Sequence, residues 1–137
     1  MIAKGFKYAV FFRVRHPSMN SKDICLELGM KATRNWTAGH ARSTPRGQTL
    51  PGINQESYAT FDLKNPTNIG LAKFLHQTNR RLFKKREYLN RIYSTGGSME
   101  YFIGWFSDKI AGEVFDTKLL KDTADLHIDI ALSVYPP

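Results

Sequence analysis

The sequence predicts an α+β fold, a two-layer sandwich. An about four-stranded sheet, largely antiparallel or mixed, holds one long and two short helices mainly on one face. Three observations lead there. Phe6–Arg15 and Leu126–Tyr135 alternate apolar and polar residues with period two, the pattern of strands that bury one face only. Between them, residues 65–93 repeat apolar side chains at helical spacing. The chain has 137 residues, 42% of them hydrophobic and 23% charged, which is enough for one core and one domain. A helix after each strand would also fit a parallel α/β sheet, but the polar outer faces of the alternating strands argue against covering both sides.

The first strand places Phe6, Tyr8, Val10, Phe12 and Val14 on one face and Lys7, Ala9, Phe11, Arg13 and Arg15 on the other. His16-Pro17 ends it, because proline has no amide hydrogen for a ladder. Asn20 or Ser21 then caps a short helix over Lys22–Leu28, with Asp23 at its positive end and Gly29 at its left-handed exit. Met30 to Glu56 is a long stretch with few apolar residues, expected to be a functional loop or to hide a hairpin turning at Pro45-Arg46-Gly47. Ser57–Leu63 reads as a second strand.

Asn65-Pro66 opens the long helix, with proline in the first turn where its missing amide costs nothing. The helix is expected to run to about Tyr93 and to close at Thr95-Gly96-Gly97, with Leu71, Leu75, Thr78, Leu82, Leu89 and Tyr93 on its apolar stripe. Met99–Phe106, apolar on both faces except at Glu100 and Gly104, reads as a central strand. Asp116 caps a short helix bearing Leu119 and Leu120. The last strand turns Ile128, Ile130, Leu132 and Val134 inward and stops at Pro136-Pro137.

Composition bounds the function. One cysteine excludes a disulfide framework and a multi-cysteine zinc site. The longest apolar runs fall far short of the roughly 18 residues a membrane span needs. Lys4, Lys7, Arg13 and Arg15 bracket the N-terminal run, so no signal peptide is read there. A cytoplasmic protein with no membrane partner is the expectation. The net charge of +8 is uneven, at +7 over residues 1–50, +4 over 51–100 and −3 over 101–137. Such an excess draws anionic partners without choosing among nucleic acid, acidic proteins and lipid.

From Leu28-Gly29 through Ala32-Thr33-Arg34-Asn35-Trp36 to Gly39-His40 the sequence resembles a family of small bacterial domains of unknown function. Their pattern is an N-terminal strand, a proline before a short helix ending in Leu-Gly, then Pro-Thr-Arg, an aromatic and a glycine. Ala32 stands here in place of that proline. The tail from Leu119-Leu120 to Ile130 resembles the family's short helix and alternating last strand. The resemblance implies a compact bacterial α+β domain with no established reaction, of a kind sometimes found beside toxin or phage genes.

Two constellations are candidates for binding. Arg34, Trp36, His40, Arg42 and Arg46 lie in the long loop, where arginine can clamp a carboxylate or phosphate and Trp36 can stack on a flat group. The structural alternative has Trp36 plugging the core edge and Arg34 pairing with an acid. On the long helix, Lys73, Arg80, Lys84 and Arg91 line the face opposite the apolar stripe over about 27 Å, widened by Arg81, Lys85 and Arg86, either as a phosphate-tracking surface or as a solvated face. A third, weaker signal is the outer sheet face, where Phe11, Arg13 and Arg15 would lie beside an aromatic from Tyr101–Phe106. Asp125, His127 and Asp129 share one face of an extended strand but stand too far apart for one metal ion. No cofactor or metal is expected.

The leading expectation is a non-catalytic binding protein, of immunity or accessory type, docking a partner with an acidic surface through the Arg/Trp loop and the basic helix. The alternative is sequence-tolerant nucleic-acid binding through the helix, and an enzyme using the loop as its pocket comes third.

Overall fold

In the computed structural model, which describes residues 6–136, the chain forms an α+β sandwich with a mixed sheet. Lys4 and Pro137, used above, lie outside the described residues. The strands are β1 (Lys7–His16), β2 (Arg34–Trp36), β3 (Ala41–Ser43), β4 (Thr49–Ile53), β5 (Ser57–Asp62), β6 (Ser98–Phe106) and β7 (Ile128–Tyr135). The helices are α1 (Ser21–Leu28), α2 (Leu71–Phe83), α3 (Arg86–Ser94) and α4 (Thr117–Asp125). The main sheet runs β2-β5-β1-β6-β7, antiparallel throughout except for the parallel pair β6–β7 that α4 connects. The hairpin β3–β4 stands apart as a second, two-stranded sheet. Strand and helix counts thus exceed the four strands and three helices expected, because the long loop contains three short strands and the long helix is broken.

β1 sits in the middle and β6 beside it, each paired on both edges. Val10, Phe12, Val14, Ala59, Phe61, Met99, Tyr101 and Ile103 point to one side and bury against Ile24, Leu75, Leu89 and Leu119 of the helices. The pleat sends Phe11, Arg13, Arg15, Tyr58, Glu100 and Phe102 to the opposite face.

α1 is capped as expected. The Lys22 amide donates to Asn20 Oδ1 at 2.8 Å, and Gly29 leaves in the left-handed region at φ 68°. α4 is capped by Asp116, which accepts from the Leu119 amide at 2.8 Å. The long helix is corrected on two counts. It starts at Leu71 rather than Asn65, whose side chain donates instead to the Tyr8 carbonyl, while Glu113 caps α2 from afar by accepting the Ala72 amide at 3.1 Å. It also breaks at Lys84-Lys85, whose amides reach back only three residues, to Arg81 and Leu82. Arg80 with Lys84, and Arg81 with Lys85, are like charges four apart with no acid before Glu87, which weakens the helix there. The bend turns Tyr93 out of the apolar stripe, and it stacks on His127 at 4.1 Å.

The last strand is also corrected. α4 extends through Asp125, and His127 turns the chain at φ 62°, so Asp125, His127 and Asp129 do not share a strand face. Ile128 is buried as expected, but Leu132 and Val134 are exposed, because β7 runs on past the helices. Gly97 is needed where α3 meets β1, since a Cβ there would lie 2.6 Å from Ile92 Cγ2 and 2.8 Å from the Arg15 carbonyl oxygen.

His16, 3% exposed, locks the end of β1 to α3. Its Nδ1 accepts from the Ser18 and Met19 amides at 3.0 and 2.9 Å, and its Nε2 lies 2.7 Å from Thr95 Oγ1, which itself donates to the Arg91 carbonyl. Two donors on Nδ1 require the neutral ring, and burial lowers its pKa from the ordinary 6.5. The native state therefore resists a proton that the unfolded chain accepts. The stabilisation is complete above about pH 6.5 and is lost as pH falls through the lowered native value. Urea midpoints at pH 7.5 and pH 5 are expected to differ more for the wild type than for His16→Asn, and equal differences would refute this role.

Candidate docking site

The Arg/Trp segment becomes a site because β2 pairs with β5. The register sets Arg34 opposite Thr60 and Trp36 opposite Tyr58, and β5 in turn sets Thr60 opposite Arg13 and Tyr58 opposite Arg15. Directly paired residues share a face, so all six side chains lie on the sheet surface away from the helices. The intervening Asn35 points the other way, and its Oδ1 accepts from Ser21 Oγ of α1 at 2.8 Å. Thr37 Oγ1 accepts the Ser21 amide at 3.0 Å, and buried Ser57 accepts the Ala38 amide while donating to the Met19 carbonyl. These bonds pin the edge strand and thereby aim Arg34 and Trp36 outward.

On that face the arginines and rings interleave. Trp36 lies against Tyr58 at 4.6 Å, with the Arg34 guanidinium 5.1 Å from the Trp36 ring and the Arg15 guanidinium 4.6 Å from the Tyr58 ring. Arg15 also donates to Glu56 Oε1 at 3.0 Å, and Arg13 covers Phe102 at 3.7 Å. Each ring thus holds a cation by its face, an arrangement worth roughly 0.5–1 kcal/mol at exposed sites.

The hairpin supplies the opposite wall. Its turn closes through Thr44, which accepts the Gly47 amide and donates to the Gln48 carbonyl, both at 2.8 Å, with Gly47 at φ 86°. Its base is tied by the Gly39 amide to Asn54 O and the Asn54 amide to His40 O, each at 2.9 Å. Arg34 Nη2 donates across to the Ser43 carbonyl at 2.8 Å, and Arg42 Nη1 donates to the Pro51 carbonyl at 3.2 Å. Between hairpin and sheet edge lies an open groove of about 440 Å³, lined among others by Trp36, Arg42, Ile53, Asn54 and Glu56.

The groove brings Trp36 and Arg42 together, and Arg34 stands beside it, over the Trp36 ring and bonded to the hairpin at Ser43. His40 stands exposed at the hairpin base and Arg46 at its tip, both outside the groove lining. Arg15, Tyr58, Ile53 and Glu56 were not foreseen as parts of this site. The sequence pattern places Arg15 only on the outer sheet face, and nothing local ties β1 and β5 to Trp36.

The basic helix residues divide. Arg80, Arg81, Lys84 and Lys85 stand exposed at the α2–α3 bend with Arg86, which packs over Phe83 at 4.3 Å. Lys73 sits in the first turn of α2, and Arg91 on α3 lines a separate groove of about 380 Å³ beside Asp23 and Glu27 of α1. The straight stripe from Lys73 to Arg91 is therefore corrected to a compact basic corner. Cys25, half-buried on α1, has its thiol pKa pushed up by burial. No helix is long and apolar enough to cross a membrane among the described residues. Set against family models, curated proteins and solved structures, the chain matches none.

Proposed function

We propose that this is a binding protein of bacterial type that works without catalysis, docking the acidic surface of a protein partner on the groove between β2 and the hairpin. One observation carries the reading: no acidic residue occurs between Glu27 and Glu56, and from that stretch Trp36 and Arg42 line one groove, with Arg34 beside it over the Trp36 ring. Tryptophan and arginine are the side chains that most often dominate interface energetics. Arg34 and Arg42 are held by backbone carbonyls, so less side-chain entropy is lost on binding. The surrounding positive charge would steer an acidic partner into place. The bacterial family resemblance and a cytoplasmic, immunity-type or accessory role belong to the same proposal.

A second reading, sequence-tolerant nucleic-acid binding, is favoured by the basic corner, where Arg80, Arg81, Lys84, Lys85 and Arg86 crowd seven residues without an acid. Labelled oligoglutamate peptide and single-stranded RNA and DNA, titrated at low and near-physiological salt, separate the two. Under the leading reading the acidic peptide binds, Trp36→Ala weakens it about tenfold or more, and Lys84→Ala changes it little. Oligonucleotide binding whose salt slope drops by about one for each corner cation removed would move the assignment to the second reading.

A further inference from the structure

The two edges of the sheet differ. β2 offers three residues and is flanked by its hairpin, whereas β7 offers eight, with Asp129 its one charge and no proline within it. Bulges, lysines and covering loops usually protect such an edge. Beyond the helices, Leu132 and Val134 are 50% and 65% exposed on the same face as buried Ile128.

We propose that β7 is a homodimer interface, pairing antiparallel with β7 of a second copy about a two-fold axis and joining two five-stranded sheets into one. Charge selects a second copy as the occupant. Residues 1–100 hold seventeen Lys/Arg against six acids, so two copies repel through most of their surface. The β7 edge lies outside that region, beneath α4, which packs on β7 and on α2. Thr123 faces α2, accepting from Asn79. Lys118, Lys121, Asp122 and Asp125 lie roughly 100–160° round the helix from it, on the side away from α2. Lysines occupy the first half of α4 and aspartates the second, paired within the helix at 3.0 and 2.7 Å. An antiparallel copy sets lysines against aspartates, so the surface is complementary to itself.

The pleat agrees. A register centred on Ala131 pairs residues 128–134, keeps the apolar side chains on one face and sets Asp129 against the second copy's Ser133, never against the second Asp129. Leu132 and Val134 then meet Ile130 and Ile128 of the second copy, which covers the exposed strip.

Sedimentation velocity over micromolar concentrations tests the proposal. The wild-type chain is expected to dimerise, and Leu132→Lys or Val134→Lys to raise the dissociation constant about tenfold or more, with circular dichroism confirming the fold. Should either variant fail to fold, the exposed helix charges decide. Lys118→Glu with Lys121→Glu sets like charges face to face and weakens the dimer, and adding Asp122→Lys with Asp125→Lys restores complementarity and the dimer. A chain monomeric throughout, as when a different protein's strand covers the edge, overturns the proposal. So does a dimer that these substitutions leave unchanged.

Discussion

Phe12→Ala is expected to lower the unfolding free energy by about 3–5 kcal/mol, the range for truncating a buried aromatic. Phe12 is fully buried in the middle strand, paired with Phe61 on one side and Tyr101 on the other. Its ring lies 6.3 Å from that of Phe61 and 5.9 Å from that of Tyr101. Both neighbours sit on hydrogen-bonded strands and cannot collapse far into the void, which places the loss toward the upper end. Phe12→Leu keeps most of the volume and should cost much less. Urea unfolding followed by circular dichroism measures both, and a Phe12→Ala loss below about 1 kcal/mol would mean that the core repacks freely around this position.

The second large effect is at Asn79. Its amide Nδ2 donates to Thr123 Oγ1 at 2.9 Å, and its Oδ1 accepts from the Tyr101 hydroxyl at 2.6 Å, all three side chains being buried. Thr123 donates onward to the Leu119 carbonyl at 2.7 Å, so the network ties α2, α4 and β6 together. Burial pushes the Tyr101 pKa far up, keeping it a neutral donor. Asn79→Ala leaves that phenol unpaired in an apolar setting and is expected to cost about 2–4 kcal/mol. Adding Tyr101→Phe to Asn79→Ala should cost less than Tyr101→Phe does alone, because the orphaned hydroxyl is gone. Additive losses in this double-mutant cycle would show that the two side chains do not act as one unit.

The elements whose signals are local were legible in the sequence. Alternation located β1 and β5 and turned Ile128 of β7 inward, though that strand starts two residues later than expected, and Asn20, Gly29 and Asp116 marked the helix ends they occupy. Pro45-Arg46-Gly47 marked the hairpin turn inside the long loop. The long helix was misread where a periodic apolar stripe concealed crowding among five cations. The start of that helix was misread because Asn65 is recruited by the Tyr8 carbonyl, a partner 57 residues away.

The candidate site divides in the same way. Arg34, Trp36 and Arg42 could be singled out because their residue types and the absence of acids around them are properties of the sequence itself. Their company could not. Tyr58, Arg15 and Glu56 join Trp36 through strand pairings β2–β5 and β5–β1, and strand order depends on how distant segments share one core. By itself the sequence determined the fold class, the basic character and the buried faces of β1 and β5, since periodicity, charge and capping act within a few residues of their cause. Only the tertiary structure decided which edge strand is left open, where the cations gather and which arginine lies on which ring. Those outcomes depend on register and packing between segments far apart in the chain.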